Sequence, residues 1–245
     1  MDHPPVIELE GRVALVTGAS GGIGGRIAER LGAAGATVAL HYARNAQPAQ
    51  KLAATLPRAA AFGADLGERE APERLVGEVE GSLGPIDVLV ANHGAGRVAQ
   101  LDEVDADAFD ALIAINLRAP YLLARRTLPG MRERGFGRIL FMSSVAGFTG
   151  GIIAPHYASS KAGLHGLTHY LASRVARDGV TVNALAPALI EDTGLLPGDP
   201  SDLGERIPVG RVGRPEEVAD LALAVLRNGY ITSQVVGIDG GMYPR

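Results

Sequence analysis

Cysteine is absent from this 245-residue chain, which excludes disulfides, thiolate zinc sites and cysteine nucleophiles. No metal site is expected. Long apolar runs are missing too: none approaches the ~18 residues that a bilayer-spanning helix needs, so no membrane partner is expected. The first residues, Met1-Asp2-His3-Pro4-Pro5, lack the basic-then-apolar pattern of a signal peptide. Surplus positive charge is also wanting. A net charge of −4 and a pI near 5.9 offer no general attraction for nucleic acid or anionic membrane. A soluble cytoplasmic protein is therefore the expectation. What the chain has in quantity is glycine, 33 residues, within a composition that is 47% hydrophobic and 20% charged. That balance fits a turn-rich α/β protein able to bury a sizeable core, not a disordered chain.

The elements alternate. A polar lead-in over 1–11 precedes the apolar, β-branched run Arg12 to Thr17, which ends at Gly18. Gly18, Gly21, Gly22 and Gly24 follow, and then Ile27 and Leu31 recur at helical spacing. In a strand–glycine turn–helix, the bare backbone lets a pyrophosphate approach the positive end of the helix. The spacing predicts a second strand over Thr37–Tyr42, helix over 46–56, a third strand over 59–64 and helix over 68–83. A fourth strand is expected over Asp87–Ala91, a long helix over 105–133 and a fifth strand over Arg138–Met142. Helix then runs to Asp178, followed by strand Val180–Leu185, helix Pro215–Leu226 and strand Val235–Ile238. The segment 188–210, rich in Gly, Pro and Asp, reads as a candidate substrate lid. With no repeat or linker, the expectation is a single α/β domain over 1–245: a Rossmann-like, doubly wound parallel sheet of about seven strands with helices on both faces.

Within this frame, certain side chains carry chemistry. Tyr157 and Lys161 stand four apart, so on a helix they share a face. An ammonium near a phenol favours phenolate, and a tyrosine so tuned can exchange a proton with a carbonyl or alcohol. Ser144 lies upstream at the end of the fifth strand, with Ser143 expected on its other face. Asn116 sits in an apolar stretch, where an unpartnered amide would cost about 1–3 kcal/mol; a local structural hydrogen bond would satisfy it equally. The end of the second strand lacks the acidic residue that grips the ribose hydroxyls of NAD, reading Leu40-His41-Tyr42-Ala43-Arg44-Asn45 instead. Arg44 would pair with a 2′-phosphate, favouring NADP(H) over NAD(H), or stand as a solvated loop residue. Asp65 would accept from the adenine amino group or cap the helix near Glu68. Five arginines (Arg125, Arg126, Arg132, Arg134, Arg138) form either a solvated face or a local basic patch for an acidic partner.

From about Gly11 to Gly241 the chain resembles the short-chain dehydrogenase/reductase family. Thr17-Gly18-Ala19-Ser20-Gly21-Gly22-Ile23-Gly24 is similar to that family's TGxxxGxG cofactor turn, and Asn92-His93-Gly94 to its Asn-Ala-Gly. Asn116, Ser144, Tyr157 and Lys161 fall on its catalytic tetrad. The resemblance implies cofactor contacts from Gly18, Ser20, Gly22, Ile23, Gly24, Arg44, Asp65, Leu66, Asn92, Gly94, Tyr157, Lys161, Pro187, Ile190 and Thr193. It also implies that Tyr157 exchanges the proton and Ser144 holds the carbonyl oxygen. Lys161 would bind the nicotinamide ribose, and Asn116 would anchor a water feeding that lysine. Departures are His93 in place of a small residue, Ala91 before Asn92, Ala188 after Pro187, Thr193 one position late, and Gly21 where many NADP-using relatives are basic.

The C-terminal segment, Gly229 to Gln234 and Ile238 to Tyr243, is similar to that of 3-oxoacyl-(acyl-carrier-protein) reductases. This implies a 3-oxoacyl thioester substrate, an acyl carrier protein as possible partner at the arginine patch, and a homotetramer pairing the long helices near 105–133 and 155–178 and the C-terminal strands. The lid from Leu195 to Arg206 is short for that group. Two other readings stand: an NAD(P)-dependent dehydrogenase of a small alcohol, sugar or polyol, and a non-catalytic dinucleotide-binding regulator.

Overall fold

A computed structural model describes residues 7–194, 196 and 199–243. Its seven strands are β1 (Val13–Val16), β2 (Thr37–Tyr42), β3 (Ala59–Gly63), β4 (Ile86–Ala91), β5 (Gly137–Met142), β6 (Val180–Pro187) and β7 (Val235–Ile238). They form one parallel sheet in the order β3-β2-β1-β4-β5-β6-β7. The two outward progressions start at β1 and β4, so the chain reverses direction between them and leaves a crevice beyond their C-terminal ends.

Both faces of the sheet are covered, which is why its central strands are apolar throughout. Alternation divides their side chains. Leu15, Leu89, Ile139, Phe141 and Val182 enter one core with α3 (Ala71–Leu83), α5 (Ala119–Glu133) and α7 (Pro155–Val175). Ala14, Val16, Val88, Val90, Leu140 and Leu185 enter the other, with α1 (Gly22–Ala33), α2 (Ala46–Ala53) and α9 (Pro215–Leu226).

Several boundaries differ from the sequence expectations. The helix expected over 105–133 is three pieces: α4 (Ala106–Ile113), a π-helical turn over Ala114–Arg118, and α5. The wider turn changes the rotational phase of the helix at Asn116, whose side chain bonds outside its own helix. α3 starts at Ala71 rather than 68, with Pro72 in its first turn. α2 stops at Ala53, and α7 gives way to a 3₁₀ turn over Ala176–Asp178. β6 continues through Pro187, since proline's carbonyl still accepts, here from Val145 N–H at 3.0 Å. Two short helices, α6 (Ala146–Thr149) and α8 (Pro200–Gly204), had no counterpart in the sequence reading. The candidate lid includes α8; its Leu195, Pro197 and Gly198 lie outside the described residues, as do residues 1–6 of the lead-in. No described helix is long and apolar enough to cross a membrane.

Phe141 is wholly buried in β5, next to the central strand β4. Phe141→Ala is expected to lower the unfolding free energy by about 3–5 kcal/mol in urea denaturation; a loss below about 1 kcal/mol would contradict this packing.

Candidate active site

Thr17, at the end of β1, governs the geometry of the glycine turn. Its buried hydroxyl accepts from the N–H groups of Asn92 (3.0 Å) and His93 (3.2 Å) and lies 2.7 Å from His93 Nδ1. Asn92 returns the connection, its Nδ2 donating to the carbonyls of Thr17 (3.0 Å) and Gly18 (3.3 Å). The turn is thereby held against β4. Gly24 is required by this closeness, because a Cβ there would sit 2.5 Å from Asn92 Nδ2. Gly18 has φ +66°, a left-handed conformation that favours glycine.

His41, from β2, braces the same turn. Its Nδ1 accepts from Gly18 N–H at 3.1 Å, and its Nε2 donates to the Ala64 carbonyl at 2.9 Å. This role was not anticipated; the signal was a histidine within an otherwise apolar strand. α1 then begins at Gly22 with no side-chain cap and no acidic residue in its first turn. Its leading N–H groups and the helix dipole suit a bound anion. This end of the site fits the diphosphate of a dinucleotide.

The turn opens into a cavity of about 510 Å³. Of the residues expected at the cofactor, Gly18, Ser20, Gly22, Ile23, Gly24, Asn92, Gly94, Tyr157, Lys161, Pro187, Ile190 and Thr193 line it. Leu66 is buried and does not line the cavity; nor do Arg44 and Asp65, both exposed, although Ala43 beside Arg44 does. Asp65 does not cap the next helix as one expectation had it. Its Oδ1 takes the Gly67 N–H at 2.9 Å in a local turn, well short of the start of α3. Leu196, Leu203, Arg206, Met242 and Tyr243 also line the cavity, brought in by the candidate-lid segment and the C-terminal segment. The composition of 188–210 pointed to that segment, but nothing in the sequence pointed to Met242 and Tyr243 as cavity residues. Thr193 hydroxyl donates to the Ile190 carbonyl at 3.0 Å.

Within the cavity, Ser144 and Tyr157 stand side by side, and Ser144 Oγ accepts from Ala146 N–H at 3.2 Å. Burial raises the phenol above its usual pKa, and the neighbouring Ser144 hydroxyl only partly offsets this. That corrects the expectation of an easily ionised phenol. Lys161 stands 5.7 Å from the Tyr157 ring centroid, and its Nζ donates instead to the Met142 carbonyl at 2.7 Å. Burial lowers Lys161 to about 8. Ser143 also borders the cavity, but its hydroxyl is engaged elsewhere, donating to the Lys161 carbonyl at 3.0 Å and lying 2.7 Å from His165 Nε2.

Asn116 is fully buried behind the cavity. Its Oδ1 accepts from Ala95 N–H at 2.8 Å, while Nδ2 donates to the Ala95 carbonyl (2.8 Å) and Ser160 Oγ (3.2 Å). The amide is therefore satisfied by structural hydrogen bonds, but not by the local one that the sequence reading allowed: they reach the loop after β4 and α7, far apart in the chain.

The arginines do not form an open basic patch. Arg126 meets Glu80 at 3.0 Å, Arg132 meets Asp178 at 2.6 Å, and Arg134 meets Asp87 at 3.2 Å. Arg138 is buried, giving its hydrogens to the carbonyls of Gly137, Gly179 and Leu226. Arg125 alone of the five is exposed without such an ion pair among the described residues.

A glycine turn at the switch point of a doubly wound sheet, with serine, tyrosine and lysine gathered on one cavity, defines a nicotinamide-dependent oxidoreductase of the short-chain class. The match to a model of the short chain dehydrogenases covers residues 12–202. Acetoacetyl-CoA reductase of Shinella zoogloeoides is 39% identical over 239 residues, spanning 95% of this chain and 98% of that protein. The 3-oxoacyl-(acyl-carrier-protein) reductase FabG of Pseudomonas aeruginosa is 37% identical over 247 residues, 97% and 99% of the two chains. Among solved structures, a dehydrogenase/reductase from Sinorhizobium meliloti 1021 superposes with a TM-score of 0.88 at 35% identity, covering 98% of each chain. The chain belongs to the short-chain dehydrogenase family of NAD(P)-dependent oxidoreductases, which act on CH–OH and C=O groups.

Burial lowers His41 and takes His93 down to about 3. Below the unfolded value of about 6.5, the unfolded chain binds protons that the native histidines refuse. Stability is therefore expected to be full above pH ~6.5 and to fall as pH drops towards 4, by up to about 1.4 kcal/mol per pH unit for each group. Urea midpoints at pH 7.5, 6 and 5 check this. A flat profile would show that the imidazoles are not held neutral.

Proposed function

We propose that this enzyme is an NADP(H)-dependent reductase of 3-oxoacyl thioesters, working on a carbonyl held between Ser144 and Tyr157. The carrying observation is that Ser144, Tyr157 and Lys161 line the same cavity as the uncapped start of α1. A raised phenol pKa supports the reducing direction, because Tyr157 is then protonated near neutral pH and ready to act as an acid. Bound reduced cofactor supplies the hydride that reaches the carbonyl carbon. Tyr157 gives its phenolic proton to the carbonyl oxygen, and the Ser144 hydroxyl stabilises the charge that grows there. Lys161, charged at neutral pH with a value of about 8, holds the nicotinamide ribose and restores the tyrosine proton. A Cβ on Gly94 would lie 3.3 Å from Lys161 Nζ and 3.4 Å from Asn116 Oδ1. Gly94 thus lets Lys161 and Asn116 lie close together, and in this reading Asn116 anchors a water that feeds protons to the lysine.

Arg44 supports the NADP(H) preference: it is exposed, unpaired among the described residues, and adjacent to cavity-lining Ala43. In this reading Asp65 and Leu66 contact the adenine, and Pro187, Ile190 and Thr193 the nicotinamide. Segment 188–210 is the lid, and the whole chain is one catalytic domain. The acyl group rides on coenzyme A or a carrier protein, the latter supported by the named relatives and not by the arginines, whose charges are largely matched. Exposed Phe109, Tyr121 and Tyr170 support a homotetramer pairing α4–α5 and α7.

Tyr157→Phe is expected to cut acetoacetyl thioester reduction by about 10²–10⁴-fold while NADPH still binds. Unchanged turnover would refute the acid role. NADPH should bind more tightly than NADH by nicotinamide fluorescence, and Arg44→Ala should erase the difference. Preference for NADH, with turnover of an alcohol or polyol panel, would move the assignment to a small-alcohol dehydrogenase. Cofactor binding without turnover of any carbonyl or alcohol would favour the non-catalytic regulator.

A further inference from the structure

His93 stands where the family resemblance leads one to expect a small residue, and its imidazole does something that a small side chain cannot. The ring is buried, with a partner in each of two segments far apart in the chain. Nδ1 faces the Thr17 hydroxyl at 2.7 Å, and Nε2 faces the Ile115 carbonyl at 3.0 Å. A carbonyl only accepts, so Nε2 carries the proton. The neutral ring then offers Nδ1 as an acceptor to the Thr17 O–H, whose oxygen receives the Asn92 and His93 N–H groups. Every polar atom at this junction has a partner of the right sense.

The two partners matter because of their neighbours in the chain. Thr17 leads into the glycine turn; Ile115 immediately precedes Asn116 in the π-helical turn. Asn116 continues the network through Ala95 and through Ser160, whose hydroxyl donates to the Tyr157 carbonyl at 2.7 Å. We propose that His93 is a positioning residue: its imidazole ties the cofactor turn to the π-helical turn that carries Asn116, setting the two halves of the site relative to one another. Without the ring, the Thr17 hydroxyl has the Val90 carbonyl at 3.3 Å as an alternative acceptor, but the Ile115 carbonyl loses this donor. The coupling, not the integrity of β1, is what His93 supplies.

This rests on the reading of Asn116 and Tyr157 as working residues, so the test separates the two. In ¹⁵N-labelled protein without cofactor, the His93 imidazole should show the Nε2–H tautomer with a hydrogen-bonded Nδ1, independent of any activity. A proton on Nδ1, or a ring titrating freely near pH 6.5, overturns the proposal whatever the enzyme's substrate. Two variants then divide the imidazole. His93→Asn places an acceptor near the Nδ1 position for Thr17 and loses the Ile115 donor. His93→Gln places a donor near the Nε2 position for Ile115 and loses the Thr17 acceptor. The Gln variant is expected to weaken NADPH binding roughly tenfold with a smaller loss of kcat, and the Asn variant to reverse that order. Parallel losses in both parameters, tracking the melting temperature, would reduce His93 to a core residue and overturn the proposal, as would no change in either. Should the wild type reduce no thioester, the function assigned above fails, while the tautomer and the NADPH titrations still decide the role of His93.

Discussion

Where the connections from β1 and β4 part company, the sheet cannot close its own backbone, and hydrogen bonds from side chains take over. Thr17, Asn92 and His93 exchange donors and acceptors across that opening, and the glycine turn is positioned by the result. Unpaired polar groups here would be costly because the surroundings are apolar and dry. That cost favours an arrangement in which each of these groups keeps its partner.

Burial acts on the ionisable groups in opposite senses, and the site uses both. The phenol of Tyr157 is raised and the ammonium of Lys161 is lowered to about 8 by the same loss of water. The lysine thus remains a cation near neutrality while the tyrosine keeps its proton. His41 and His93, driven towards neutrality, serve as acceptors that a charged ring could not provide. Elsewhere charge is matched locally: Arg126, Arg132 and Arg134 face carboxylates, so the basic stretch read from the sequence dissolves once its helix packs.

The succession of strands and helices, the glycine turn and the shared helix of Tyr157 and Lys161 were legible in the chain itself. Each depends on local periodicity: apolar runs for buried parallel strands, four-residue spacing for one helical face, and glycines where strand meets helix. The π-helical turn at Asn116 was not legible, because an extra residue per turn leaves the apolar pattern of 105–133 nearly unchanged. The start of α3 was misjudged because Asp65 bonds its own turn, a choice between equally local partners. Which acceptor Lys161 reaches, and that His41 and His93 clasp the turn, required strands far apart in sequence to be side by side. The sequence determined the alternation of strands and helices and the motifs that stand where they meet. Tertiary structure alone decided how much water each side chain retained, and therefore its proton affinity and its partner.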